Sequence, residues 1–354
     1  MVPFAARVSP HNLECAPAEP EGSPLTLQSV HAGYEPVAEV VRNGFVEGVH
    51  FGAMVGLAAD GSAAFTVGDV DRPMHPRSTS KLMQASGMRA LGLHLDGELL
   101  ALSASSHWGQ ERHLVGVRRI LADAGLDESQ LQTTPALPHD DDARRRAIIA
   151  GAGPSPIMHG CSGKHAAMLA TCAQLRWDTG TYLDPQHPLQ IALRQFIEDA
   201  AGEKSTHTAV DGCGSPAWAL SLSALARCYR AGVLAPGGTP MDAVATAMRS
   251  HPEFVGGDES EVTGLMRAVP GLLVKDGAES VYAAALADGR AVAVKIADGG
   301  FRAGQAVLVA ALQRLGAAAE PGSDDDALSR WGRVDVLGHG RSVGAIRPLP
   351  LGRR

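Results

Sequence analysis

Apolar runs and polar breaks divide the chain into three stretches. Residues 36–66 read as strands: Val37–Val41 and Ala53–Ala58 are apolar, and Asp60-Gly61 is a hairpin signal ahead of Ala63–Val67. From 78 to about 270 the apolar positions recur at helical spacing, predicting helices over 79–91, 96–104, 111–124, 162–176, 188–200, 217–231 and 241–250. The 162–176 segment carries Met168, Leu169, Cys172 and Leu175 as a stripe that reads as core. Strand patterns return at 271–275, 280–286 and 290–297, the last two joined at Asp288-Gly289, and a helix follows at 302–315. From 331 the chain is punctuated by Gly and Pro and offers one short strand, 343–346. Lone hairpins are not stable by themselves, so strands from both chain ends must pair. The fold class expected is α/β (α+β): one antiparallel sheet built from both ends, flanked by helices, with a helical lobe inserted. The boundaries expected are a poorly ordered tail at 1–30, a sheet lobe at 31–77 and 268–316, a helical lobe at 78–267 and a C-terminal extension at 317–354.

Composition narrows the class without naming a chemistry. The chain has 354 residues, 45% hydrophobic and only 4% aromatic, so its core must be built from small aliphatic side chains. The net charge of −7, with no basic cluster, disfavours nucleic acid and anionic membrane as partners. Five cysteines, an odd and sparse set, do not form a disulfide framework. No run is long enough to span a bilayer, and the N-terminus lacks the charged start and apolar stretch of a secretory signal. A reducing cytoplasm is the expected location.

The candidate chemistry lies in short motifs. Arg77-Ser78-Thr79-Ser80-Lys81 opens a predicted helix and puts Ser78 and Lys81 on one face. A serine needs a base to become a nucleophile, and a lysine with a lowered pKa can be that base. Ser105-Ser106-His107 precedes the next long helix but one, where its hydroxyls could cap the helix or enter a cleft. His159-Gly160-Cys161-Ser162-Gly163-Lys164 and Asp211-Gly212-Cys213-Gly214 bring two cysteines and a lysine on glycine-rich loops. That set could hold zinc or simply bury two thiols. Lys275-Asp276-Gly277 ends a strand, where a lysine could face the Ser78 helix across a cleft, and Lys295-Ile296-Ala297-Asp298-Gly299 ends a later one.

Together with Glu39-Val-Val-Arg42, His50 and His251-Pro-Glu-x-Val255, these motifs resemble the rhizobial-type L-asparaginases, the third structural class, also called the L-asparaginase II family. The likeness runs from about 36 to about 316. The resemblance implies a serine β-lactamase/glutaminase-like fold, a homodimer, and hydrolysis of L-asparagine to L-aspartate and ammonia. It implies Ser78 as nucleophile, Lys81 as its base, and Ser106 paired with a second lysine, placed at Lys275 with Lys295 as fallback. Arg77, His107, Asp211 and Gly277 stand in these motifs as the expected substrate contacts. It further implies a Zn2+ site at Cys161, Lys164 and Cys213, where the lysine binds as the neutral amine. Crowding two lysines should lower at least one pKa.

Three departures from the family pattern stand out, one of them a stretch between Lys81 and Ser106 that is shorter than usual. Gln110 replaces a glutamate after Gly109, and Thr134–His139 differs from the expected Cys-Gly-x-His. Two other readings keep some of the same residues. A β-lactamase or penicillin-binding hydrolase would also use Ser-x-x-Lys and Lys-x-Gly. A non-catalytic zinc-dependent amino-acid binder of the same fold would retain the metal residues alone.

Overall fold

The computed structural model describes residues 33–350; the expected tail at 1–30 lies outside them. Ten strands form. β1 (Glu35–Arg42), β2 (Phe45–Leu57) and β3 (Ala63–Val67) come from one end of the chain. β4 (Thr208–Val210) and β5 (Pro216–Trp218) make a separate two-stranded hairpin. β6 (Leu273–Gly277), β7 (Val281–Ala285), β8 (Ala291–Ile296), β9 (Val334–Gly338) and β10 (Arg341–Pro348) come from the other end. The main sheet runs β6-β7-β8-β2-β1-β10-β9, with β3 also on β2, and every pairing is antiparallel.

β2 joins the two ends. Its first part pairs with β1 and its last residues, Met54–Leu57, pair with β3, while Gly52–Leu57 pairs with β8. β7 is an uninterrupted apolar run because both of its faces are buried, and nearly all of β8 is buried with it. The Leu222–Val233 and Phe301–Arg314 helices both pack on β8. Small residues set how closely they approach. At Gly304 a Cβ would fall 2.0 Å from Ser280 Oγ and 2.6 Å from the Tyr282 ring, so the Phe301–Arg314 helix rests on the sheet through bare backbone.

Between Arg77 and Ala268 the chain is mainly helical, the inserted lobe expected from the sequence. Two boundaries differ from expectation. The helix expected at 217–231 is Leu222–Val233, because Ser221 caps it and the residues before it are taken up by β5. The segment 317–354, read as an extension, contributes β9 and β10, and β10 fills the free edge of β1 from Ala38↔Pro348 to Arg42↔Gly344. Among the described residues no helix is long and apolar enough to cross a membrane.

Candidate active site

The Ser78 turn is locally strained. Pro76 leads into a 3-10 turn, Arg77–Ser80, before the regular helix Lys81–Ala90. Arg77 has φ 53°, the left-handed region that a non-glycine residue adopts at a cost of about 1–3 kcal/mol. Three contacts hold the turn. Thr79 Oγ1 and Ser80 Oγ each donate to a carbonyl within it at 2.7 Å. The Arg77 Nε donates to Asp211 Oδ1 at 2.8 Å, with both side chains mostly buried. The end of β6 presses against the same turn. A Cβ at Gly277 would lie 2.9 Å from the Pro76 carbonyl oxygen and 3.2 Å from the Ser78 nitrogen. Ser78 itself is half-buried.

Lys81 makes its polar contacts with two other segments. Its buried Nζ donates to the Ser105 carbonyl, to Ser106 Oγ at 3.1 Å and to Cys161 Sγ at 3.2 Å. The lysine that meets Ser106 is therefore Lys81. Lys275, the partner expected from the sequence, is fully buried and its amine is taken by the Asp276 carboxylate and, at 2.8 Å, by the Asp276 carbonyl. Burial pulls the Lys275 pKa below its ordinary value; Asp276 opposes this and the Lys81 charge adds to it. Lys295, the fallback, donates to the Glu279 carbonyl at 2.6 Å and to the Ile296 carbonyl at 2.5 Å, tying the β6–β7 hairpin to β8.

The segment carrying Ser106 is pinned by its backbone. Ser106 N donates to Val255 O at 2.9 Å, His107 N to Gly160 O at 3.0 Å and Trp108 N to Gly256 O at 2.9 Å. His107 was expected to meet substrate. Only 1% of it is exposed, and both ring nitrogens are engaged, Nδ1 by Gly109 N–H at 3.1 Å and Nε2 by Ser162 Oγ at 2.8 Å. Gln110 uses its amide to donate to Asp140 at 3.1 Å and to Asp258 at 3.4 Å. A glutamate there would be a third carboxylate, so the amide suits this neighbourhood.

The metal candidates cluster beside Lys81. Lys164 Nζ lies 3.3 Å from Cys213 Sγ and donates to Ser215 Oγ at 2.5 Å. The neighbouring Cys161, Lys164 and His165 pull the Cys213 pKa down against the effect of burial. Cys213 and burial push Cys161 up. Burial opposes the charge on Lys164, but Cys213, Cys161 and Asp211 outweigh it and raise the pKa. Among the described residues no group of three or more His, Cys, Asp or Glu side chains is placed to hold a metal ion. Two sulfurs and an amine do converge, so zinc fits this donor set with Lys164 as the third ligand. Cys172 and Cys228 are buried in helices, as expected, and burial pushes each up to about 12.

Several contributors have no role in the sequence reading. Asp276 holds Lys275, Ser215 meets Lys164, and His165 Nδ1 meets the Tyr182 hydroxyl at 2.8 Å beside Cys213. Asp276 and His165 directly follow singled-out lysines in sequence, which is the one signal that could have found them.

No protein of curated function matches the chain in sequence. Three solved structures are similar to it at low identity. Mglu, in its tris and glutamate form, is 15% identical with a TM-score of 0.33 over 84% of this chain and 66% of Mglu, so the chain spans just under two-thirds of that protein. A probable glutaminase, ybaS, is 14% identical with a TM-score of 0.32, over 79% of this chain and 91% of that one. EstCE1, a hydrolase with promiscuous acyltransferase activity, is 12% identical with a TM-score of 0.34, over 75% and 88%. Likenesses this weak say nothing of the site. The family model for L-asparaginase II matches residues 38–348, from β1 through β10, well past the stretch where the motifs stop. With that match across nearly the whole described chain, the protein belongs to the L-asparaginase II family.

Proposed function

We propose that the protein is an amidohydrolase that converts L-asparagine to L-aspartate and ammonia through an acyl-enzyme on Ser78. The observation that carries this reading is the buried Lys81 amine, bonded to the Ser106 hydroxyl and standing three residues from Ser78, in a chain of this family. Ser78 Oγ attacks the side-chain amide carbon, and Lys81, which must give up a proton to act as a base in this step, takes the Ser78 proton. The Ser78 N–H, where β6 presses on the turn, is the candidate donor to the oxyanion. The proton passes from Lys81 through Ser106 to the departing nitrogen, the carbon–nitrogen bond breaks and ammonia leaves. Water then hydrolyses the aspartyl ester by the same path reversed and restores the Ser78 hydroxyl. Lys275, its own pKa lowered by burial and by the nearby Lys81 charge, stays paired with Asp276.

Cys161, Lys164 and Cys213 would hold zinc, which when bound supplies a Lewis acid for a substrate oxygen. A homodimer in the cytoplasm with a small amide substrate completes the reading and rests on the family.

The test is ammonia release from L-asparagine, with L-glutamine alongside, by the wild type, Ser78→Ala and Ser106→Ala, with and without zinc. Mass spectrometry of acid-quenched enzyme locates the acyl group. Label on the Ser78 peptide and loss of release in Ser78→Ala are expected. The Lys81–Ser106 bond favours one second reading, in which Ser106 is the nucleophile, and label on its peptide would establish it. Release from neither amide by folded, zinc-loaded protein would overturn the hydrolase and leave an amino-acid binder.

A further inference from the structure

His113 belongs to none of the motifs, yet it is fully buried and stacks on His107 with ring centroids 5.1 Å apart at 26°. The hydrogen bonds fix both rings. A backbone N–H can only donate, and Gln110 N donates to His113 Nδ1 at 3.1 Å. A carbonyl can only accept, so His113 Nε2 carries the hydrogen that goes to Glu253 O at 2.8 Å. His107 repeats the pattern. Its Nδ1 accepts from Gly109 N, so its Nε2 donates to Ser162 Oγ, whose own hydrogen goes to the Ile157 carbonyl at 2.7 Å. Each ring thus ties its own loop to a different element, His107 to the Ser162–Leu175 helix and His113 to the Pro252–Val255 helix. The latter helix supplies the Val255 carbonyl that holds Ser106 N.

We propose that His107 and His113 are positioning residues: a stacked pair of neutral imidazoles, both in the Nε2–H form, that clamps the 106–110 segment and so holds the Ser106 hydroxyl on the Lys81 amine. The role follows from their connections. Neither ring reaches Ser106 itself. His113 holds the Glu253 carbonyl, and two residues on the same short helix bonds Ser106. Loss of either ring's acceptor strands a buried backbone N–H, which the loop relieves only by moving. Protonation has the same effect, since an imidazolium has no acceptor nitrogen. The charged groups around the pair divide. Lys81 and His159 face His107 and oppose its protonation. Arg112 opposes that of His113 while Asp258 and Asp140 favour it. Burial is the largest influence on both and keeps them neutral, with His113 pushed down to about 4.

The proposal rests on the amidohydrolase reading for its kinetic consequence but not for its geometry, and two measurements separate the two. Long-range 1H–15N spectra of the full chain with labelled histidine report each ring's tautomer without substrate. Both rings should be neutral and Nε2–H at pH 6; an Nδ1–H form or an imidazolium at either position overturns the clamp, whether or not asparagine is hydrolysed. The second measurement compares His113→Phe, which keeps the stacking volume, with His113→Gln, which restores an amide donor toward the Glu253 carbonyl. For ammonia release the Phe variant should lose about tenfold or more in kcat with KM changed less than about twofold, and the Gln variant should recover most of it. A folded Phe variant with wild-type kcat, or equal losses in the two variants, overturns the positioning role.

Discussion

Gly277→Ala tests the contact between β6 and the Ser78 turn with a single methyl group. The new carbon would sit 2.9 Å from the Pro76 oxygen, 3.2 Å from Ser78 N and 3.3 Å from Thr79 N, all backbone atoms that cannot swing aside. Carbon–oxygen contacts settle at roughly 3.3–3.6 Å, so turn and strand must part by about half an ångström. Neither is free to yield. β6 is locked in register to β7, with Asp276 opposite Tyr282 and Gly277 opposite Val281. The turn is tied by Thr79, Ser80 and Arg77. Overpacking of this kind costs about 1–3 kcal/mol, and a shift near half of the ångström that costs about 100-fold lowers kcat about tenfold. Urea titration and ammonia release at saturating L-asparagine read the two effects. Gly48→Ala is the control, since its added carbon would meet the Val40 side chain at an ordinary 3.5 Å. A Gly277→Ala protein with the wild-type urea midpoint and kcat would refute the claim that this approach positions Ser78.

Four further outcomes follow from the same geometry. His113 is depressed to about 4 in the fold against an unfolded value near 6.5, so the unfolded chain binds more protons between those values and stability falls as pH drops from 6.5 to 4. The size is about 2 kcal/mol at pH 5 from this residue alone, read as a falling urea midpoint that His113→Phe flattens. Lys81→Met should lower ammonia release by about 100-fold or more while the protein stays folded; near-normal turnover would remove Lys81 as the base. Cys161→Ala or Cys213→Ala should weaken zinc binding, measured by competition with a chromophoric chelator, by about 100-fold, while Cys172→Ala leaves it unchanged; three equal affinities would remove the site. Gly304→Ala, which drives a carbon into Ser280 and Tyr282, should cost more than about 3 kcal/mol, and an unchanged urea midpoint would contradict the close packing of the Phe301–Arg314 helix.

The sheet was legible where burial writes itself into composition. β7 and β8 are near-continuous apolar runs joined by Asp288-Gly289. β4 and β5 are three residues each, too short for any period to show. β9 and most of β10 are half-exposed, interrupted by Gly344, and owe their pairing to the open edge of β1. The site divides the same way. Residue types in Arg77–Lys81, Ser105–His107, Cys161–Lys164 and Asp211–Cys213 announced their chemistry, but partners did not follow from spacing. Ser78 and Lys81 stand three apart and are joined by the Lys81 N–H to Ser78 carbonyl bond of the 3-10 turn, but spacing did not tell that the Lys81 amine would also meet Ser106. Lys275 was read as reaching across the cleft, but the carboxylate next to it in sequence captures it first.

β2 receives partners from both ends of the chain, and that fixes when the protein can become whole. A ribosome delivers β1, β2 and β3, then the entire helical lobe, and only after it β6 to β10. Until then β2 lacks β8 and β1 lacks β10, leaving two open edges, the kind of exposure that invites pairing with the wrong chain. The sheet's contacts span nearly the whole sequence, so its assembly is slow once synthesis ends. The same order delays reactivity: Ser78, Lys81 and Ser106 emerge early, but β6, whose Gly277 presses on the Ser78 turn, emerges late. A nascent chain therefore carries its nucleophile long before it can use it.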